Sequence, residues 1–245
     1  MSLQRTRATA LRVLRQLRHD PRTIVLLLAV PCVLQVLVRA LFADRPSVFE
    51  SLGVPLLGLF PFVTMFIVTS ITMLRERTSG TLERLMTTPL ARGDLLVGYA
   101  LAFALVAAVQ ATLVSALSFG LLGLDAGHRP VSVIALAIAN AVLGMALGLF
   151  ASAFARTEFQ AVQFMPAFVL PQILLCGLIV PRDQMAEWLR VISAFMPLTY
   201  AYNALAQLAS SNELTARFWA DVTIVLGVTI VALALGAVTL RRRTP

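Results

Sequence analysis

Six apolar runs, at about 23–42, 54–74, 97–122, 132–154, 161–181 and 221–240, leave this chain few folds to choose from. Each supplies close to the ~20 residues that a helix needs to cross a hydrocarbon core of about 30 Å. Inside hydrocarbon every backbone N–H and C=O must pair within the protein, and a helix does so locally. The charge deficit agrees: 13% of the 245 residues are charged and the mean hydropathy is +0.86, whereas soluble domains carry about a quarter charged residues. The sequence therefore predicts an all-α integral membrane protein with six transmembrane helices, built as a single transmembrane domain over residues 1–245.

All twenty basic residues are arginine, and twelve acids leave a net charge of +8. Without lysine the chain can form neither a G-x-x-x-x-G-K-[ST] phosphate loop nor a lysine Schiff base. If ATP powers this protein, another polypeptide binds it. Cys32 and Cys176 fall inside apolar runs and are expected to be reduced and buried. His19 and His128 lie far apart, so no metal site is expected.

Arginine placement orients the spans. With both termini inside, the inner segments hold fourteen arginines and the outer segments six. The positive-inside bias thus predicts cytoplasmic termini and a cytoplasmic segment Arg75–Gly98. In residues 1–22, Leu3, Ala10, Val13, Leu14 and Leu17 share one helical face, with Arg5, Arg12 and Arg15 opposite. That pattern predicts an amphipathic helix lying on the inner leaflet beside anionic headgroups, ended by Asp20-Pro21. Residues 23–181 then carry spans one to five, and 221–245 the sixth span and a cytoplasmic tail. Between them, residues 182–220 read as two short helices separated by Pro197, with Asp183 an expected N-cap. These are either re-entrant helices in the outer half of the membrane or interfacial helices anchored by aromatics.

One inner segment is too elaborate for a linker. Arg75–Leu90 reads RERTSGTLERLMTTPL, with charges of both signs, a glycine and a closing proline. Gly80 permits a sharp turn, Thr81 can cap a short helix containing Leu82, Leu85 and Met86, and Pro89 limits it.

Three strings carry a family resemblance: ERTSGTLERLMTTP from Glu76 to Pro89, LIVPRDQMAEW from Leu178 to Trp188, and MPLTY from Met196 to Tyr200. In this order, on six apolar runs, they resemble the permease subunits of type-2 ATP-binding-cassette exporters, including daunorubicin-type and multidrug-export permeases. The resemblance implies a permease without an ATPase site of its own. It would pair with a second permease chain, identical or different, and with two copies of an ABC ATP-binding subunit that binds ATP and Mg. The short helix after Gly80 would be the coupling helix, with Glu76, Gly80, Thr81, Leu82, Glu83, Arg84 and Leu85 as candidate contacts to the ATPase. Pro181, Pro197 and Tyr200 would belong to an outer gate. The setting implied is the cytoplasmic membrane of a bacterium, in contact with lipid and without a nucleic-acid partner.

Polar residues inside the runs are few. Gln35, Thr64, Gln110 and Gln172 are candidates to line a substrate pathway; interhelical hydrogen bonding is the alternative reading. Gly144, Gly148 and Ser152 form a small-residue stripe that reads as helix packing. An apolar path with scattered amides suits an amphipathic or hydrophobic substrate, drug-like or lipid-like. A proton-coupled secondary transporter would need a titratable group inside the membrane, yet all the acids fall in loops or at span ends. A membrane enzyme acting on lipid-linked substrates would need clustered acid, base or metal-binding groups, and no such cluster is apparent.

Overall fold

The computed structural model describes residues 3–79, 92–125, 129–210 and 214–239. These residues form nine α-helices and no strand: α1 Leu3–Arg18, α2 Pro21–Leu41, α3 Pro46–Thr78, α4 Arg92–Gly120, α5 Pro130–Ala151, α6 Glu158–Leu175, α7 Glu187–Ala194, α8 Pro197–Ser210 and α9 Ala216–Thr239. Proline opens α2, α3, α5 and α8, where its fixed φ suits a first turn and its missing N–H costs nothing.

Five of these helices are long and apolar enough to cross a membrane: α2, α3, α4, α5 and α9. The fifth predicted run differs from its expectation. Its helix stops at Leu175 rather than near 181, spans 18 residues and contains Pro166 and Pro171. Gly177 explains the stop, since its φ of +108° cannot continue a right-handed helix. The Tyr202 ring lies against the same glycine. Conversely, α3 begins at Pro46 rather than 54 and reaches 33 residues, about 50 Å at the usual rise. Burial of Phe49 and the seating of Leu124 against Gly53 hold the added turns in place.

The core is built around α3, whose most extensive partner is α5. There the small-residue stripe brings backbones together. A side chain at Gly144 would meet the carbonyl oxygen of Phe62, and one at Gly148 that of Phe66. Apolar clusters fill the bundle on either side of this seam, one around Met65, Phe103 and Met145, another around Phe62, Phe66 and Leu143.

The two short helices expected in 182–220 are α7 and α8, with Pro197 at the start of the second. Asp183 sits in a 3-10 turn, Arg182–Gln184, while Ala186 precedes α7 without a side-chain cap. Leu198, Ala201 and Leu205 of α8 are buried against the bundle. Gly58 of α3 makes room for Leu205, and Leu198 N donates to Gln172 Oε1 at 3.3 Å.

The N-terminal helix keeps most of its expected apolar face and extends it. Its buried residues are Thr6, Thr9, Val13 and Leu17, packed mostly on α4, while Leu3 and Leu11 are exposed. Of the expected apolar face, Val13 and Leu17 are buried and Ala10 and Leu14 pack against the same core; Thr6 and Thr9 widen that face, because small side chains allow close approach. Gly98 of α4 receives them: a Cβ there would sit 2.6 Å from Thr9 Cβ and 3.0 Å from the Thr6 carbonyl oxygen. The widened contact brings Arg12, expected on the solvated face, into the protein.

Candidate functional site

The end of the bundle that carries α1 holds a cavity of about 360 Å³ between α1, α2 and α3. Its walls are aliphatic, among them Leu17, Leu27, Val30, Ile67 and Ile71, and Thr64 and Tyr99 also line it. At its rim, Asp20 caps α2 by accepting from Thr23 N at 3.2 Å and Thr23 Oγ1 at 2.6 Å. Those bonds hold the Asp20 carboxyl below the usual carboxylate range. Across the rim Arg75 makes a two-pronged bond to Glu158, Nε to Oε1 at 2.8 Å and Nη2 to Oε2 at 3.0 Å. The Arg75 bonds pull the Glu158 carboxyl down as well. An aliphatic pocket with charge only at its mouth suits an amphipathic occupant.

Pro31 shapes the wall of this cavity. Lacking an N–H, it leaves the carbonyl of Leu27, four residues earlier, without its helical donor. Gln110 of α4 supplies one: its Nε2 donates to Leu27 O at 2.7 Å and to Thr64 Oγ1 at 2.5 Å. The Thr64 hydroxyl in turn donates a hydrogen bond to Phe60 O at 3.0 Å. The other two amides are also engaged between or within helices. Gln35 Nε2 donates to Gly53 O at 3.1 Å, and Gln172 Nε2 donates to Phe168 O at 2.9 Å while its oxygen receives Leu198 N. Of the four pathway candidates, Thr64 alone lines the cavity.

Beside the cavity lies a charged cluster that sequence reasoning did not assemble. Glu76, near the end of α3, is 3% exposed. Its Oε1 lies 3.6 Å from Arg12 Nη1. Arg12 Nη2 donates to the Tyr99 hydroxyl in a short bond, and the guanidinium lies 5.6 Å from the Tyr99 ring centroid. A single side chain of α1 therefore touches the last turns of α3 and the first turns of α4. These are the two flanks of residues 80–91. Gly80, Thr81, Leu82, Glu83, Arg84 and Leu85 lie outside the described residues. Arg12 was hidden because helical periodicity places it among solvated arginines, and Tyr99 because it sits inside an apolar run.

At the opposite end, Pro197 begins α8, and Tyr200 OH donates to Ala194 O at 2.6 Å. Thr199 Oγ1 donates to Ser193 O at 2.8 Å. Together they clamp the corner between α7 and α8, while Pro181 lines a separate polar cavity nearby.

The family model described as ABC-2 type transporter matches residues 4–209. The chain belongs to this family. Among similar proteins, the probable multidrug ABC transporter permease YbhR of Escherichia coli K12 is 31% identical over 150 residues, 59% of this chain and 39% of that protein. The linearmycin resistance permease protein LnrN of Bacillus subtilis is 28% identical over 168 residues, 69% of this chain and 42% of that protein. The ABC transporter G family member 20 of Dictyostelium discoideum is 24% identical over 147 residues, 60% of this chain and 20% of that protein. The chain thus matches less than half the length of these relatives. Family membership and the five apolar helices together describe a multi-pass membrane protein.

Proposed function

We propose that this chain is the transmembrane permease subunit of an ATP-driven exporter, moving an amphipathic or hydrophobic substrate out of the cytoplasm by alternating access. The observation that carries this reading is the ABC-2 match across residues 4–209. The permease names of its relatives support it. In this reading α6 is the sixth crossing, since its 18 residues extend about 27 Å as a helix. The α1 end faces the cytoplasm of a bacterial cell, as the arginine excess there supports. A second permease chain completes the pathway, and two ATP-binding subunits bind ATP and Mg against residues 80–91 of each permease.

The α1-end cavity is the proposed entry for substrate, because it offers aliphatic walls behind a charged rim. Arg12 is a proposed positioning residue for coupling. By holding Glu76 and Tyr99 together, it would make the two flanks of residues 80–91 move as one piece. The α7–α8 corner, with Pro197 and Tyr200, is the proposed outer gate together with Pro181. Charge reversal in the coupling segment tests the scheme. Glu83→Arg is expected to leave membrane insertion unchanged and to abolish substrate-stimulated ATP hydrolysis in the reconstituted complex. Unchanged hydrolysis and transport would overturn the coupling role of this segment.

A further inference from the structure

The end of the bundle opposite α1 holds a second cavity, of about 510 Å³, whose character is the reverse of the first. Three arginines line it, Arg182, Arg190 and Arg217, with Asp183 as the acid among the lining residues, and Tyr202 and Asn203 add polar edges. Their order is imposed by the fold. Gly177, in a conformation that favours glycine, turns the chain back over Tyr202. Arg182 is fixed by the fully buried Ser193, whose hydroxyl accepts Arg182 Nε at 3.0 Å and donates to Arg190 O at 2.8 Å. That bond uses Nε and leaves both Nη groups available.

The neighbouring acids do not cancel this charge. Asp221 is buried near Arg217 and Arg182 and offsets one guanidinium. Glu187 reaches Arg190 only at 4.0 Å, from a side chain that is almost fully exposed, a geometry that contributes little. With Asp183 and Asp221 set against three arginines, the site keeps an excess of one positive charge and several forked donors, a pattern that suits a phosphate oxyanion.

What surrounds the cavity identifies the carrier of that phosphate. The chain has two tryptophans, and each shares a helix with one of these arginines, Trp188 with Arg190 and Trp219 with Arg217, on a face turned away from the cavity. They are 65% and 58% exposed. On α7 they are joined by exposed Val191, Ile192 and Phe195, the last 85% exposed. Exposed tryptophan beside an aliphatic face is the composition of a segment at the level of lipid headgroups. A soluble anion needs no such belt; a phospholipid does, with its phosphate on the arginines and its chains along α7.

We propose that this cavity is a binding site for the headgroup of an anionic phospholipid, held by Arg182, Arg190 and Arg217. The site is separate from the α1-end cavity and does not depend on the transport reading. The full chain, reconstituted in phosphatidylcholine vesicles, offers its two exposed tryptophans as reporters of the lipid around the helices that carry the site. Brominated phosphatidylglycerol should quench them at a lower mole fraction than brominated phosphatidylcholine. Arg190→Gln or Arg217→Gln should reduce that preference by about fivefold each, the contribution of one guanidinium beside an anionic headgroup. Both side chains are exposed; Arg217→Gln also takes a cation from buried Asp221, so Arg190→Gln is the cleaner variant, and Arg190→Lys should restore much of the preference. Equal quenching by the two lipids, or a preference that both variants retain, would overturn the proposal. So would inorganic phosphate binding in the absence of any phosphatidylglycerol preference, which would assign the cavity to a free anion.

Discussion

Helix α3 meets α5 and α1 in two opposite ways. Against α5 it presents bare backbone: the Phe62 and Phe66 carbonyls stand where Gly144 and Gly148 leave no side chain, and the surroundings are apolar. Against α1 it presents a buried carboxylate, Glu76, held by one arginine. Backbone cannot rotate out of a collision, whereas an arginine has a flexible stem and alternative partners. The α3–α5 seam is therefore a rigid spine. The α1 contact is an attachment through one long, flexible side chain, and it sits beside residues 80–91.

Alanine at both Gly144 and Gly148 should break the spine. Overpacking of this kind costs about 1–3 kcal/mol per site, and here the obstruction is backbone, so the double variant should lose most of its folded yield in detergent. A monodisperse protein with an unchanged melting temperature would show that the seam yields, and the contrast with α1 would disappear.

The attachment should fail differently. Arg12→Ala leaves Glu76 buried without its cation, and breaking a buried pair costs about 3–5 kcal/mol. Arg12 is 33% exposed, so about 3 kcal/mol or less is expected. Hydrogen exchange should then rise in α1 and the end of α3 while α5 stays protected. Adding Glu76→Gln should recover part of the loss, because the uncompensated charge is gone. If α5 loosens in step with α1, the two contacts are one cooperative unit.

The smallest effect belongs to the rim pair. Arg75 and Glu158 are both more than half exposed, and such pairs contribute less than about 1 kcal/mol. Glu158 titrates below its ordinary value in the folded protein. Its contribution is therefore fully present above that ordinary value and disappears as pH falls through the lowered one. Arg75→Ala should flatten this acid-side dependence in thermal unfolding, with almost no change near neutral pH.

Much of the architecture was legible in the residues. Five of the six apolar runs became helices both long and apolar enough to cross a membrane, and the stripe of Gly144 and Gly148 became a seam of backbone against backbone. Both follow from local rules: hydrocarbon demands internal hydrogen bonding, and small side chains permit close backbones. The helix of the fifth run ends earlier than its hydropathy suggests, because hydropathy does not register the positive φ of Gly177. The candidate site was less legible. Gln110 drew notice as an amide in an apolar run, but its task, supplying the carbonyl orphaned by Pro31 some eighty residues earlier, depends on which helices meet.

The sequence by itself determined that this chain is a helical membrane protein of the ABC-2 kind, with its charges placed at the ends of its helices. Period, length and composition act locally, so they survive without knowledge of neighbours. Only the tertiary structure decided that α1 would pack through Thr6 and Thr9 onto Gly98, turning Arg12 inward to Glu76 and Tyr99. It likewise decided that Arg182, Arg190 and Arg217, from a turn and two helices, would line one cavity. Each depends on the rotation of one helix against another, and that rotation is set by the fit of surfaces far apart in the chain.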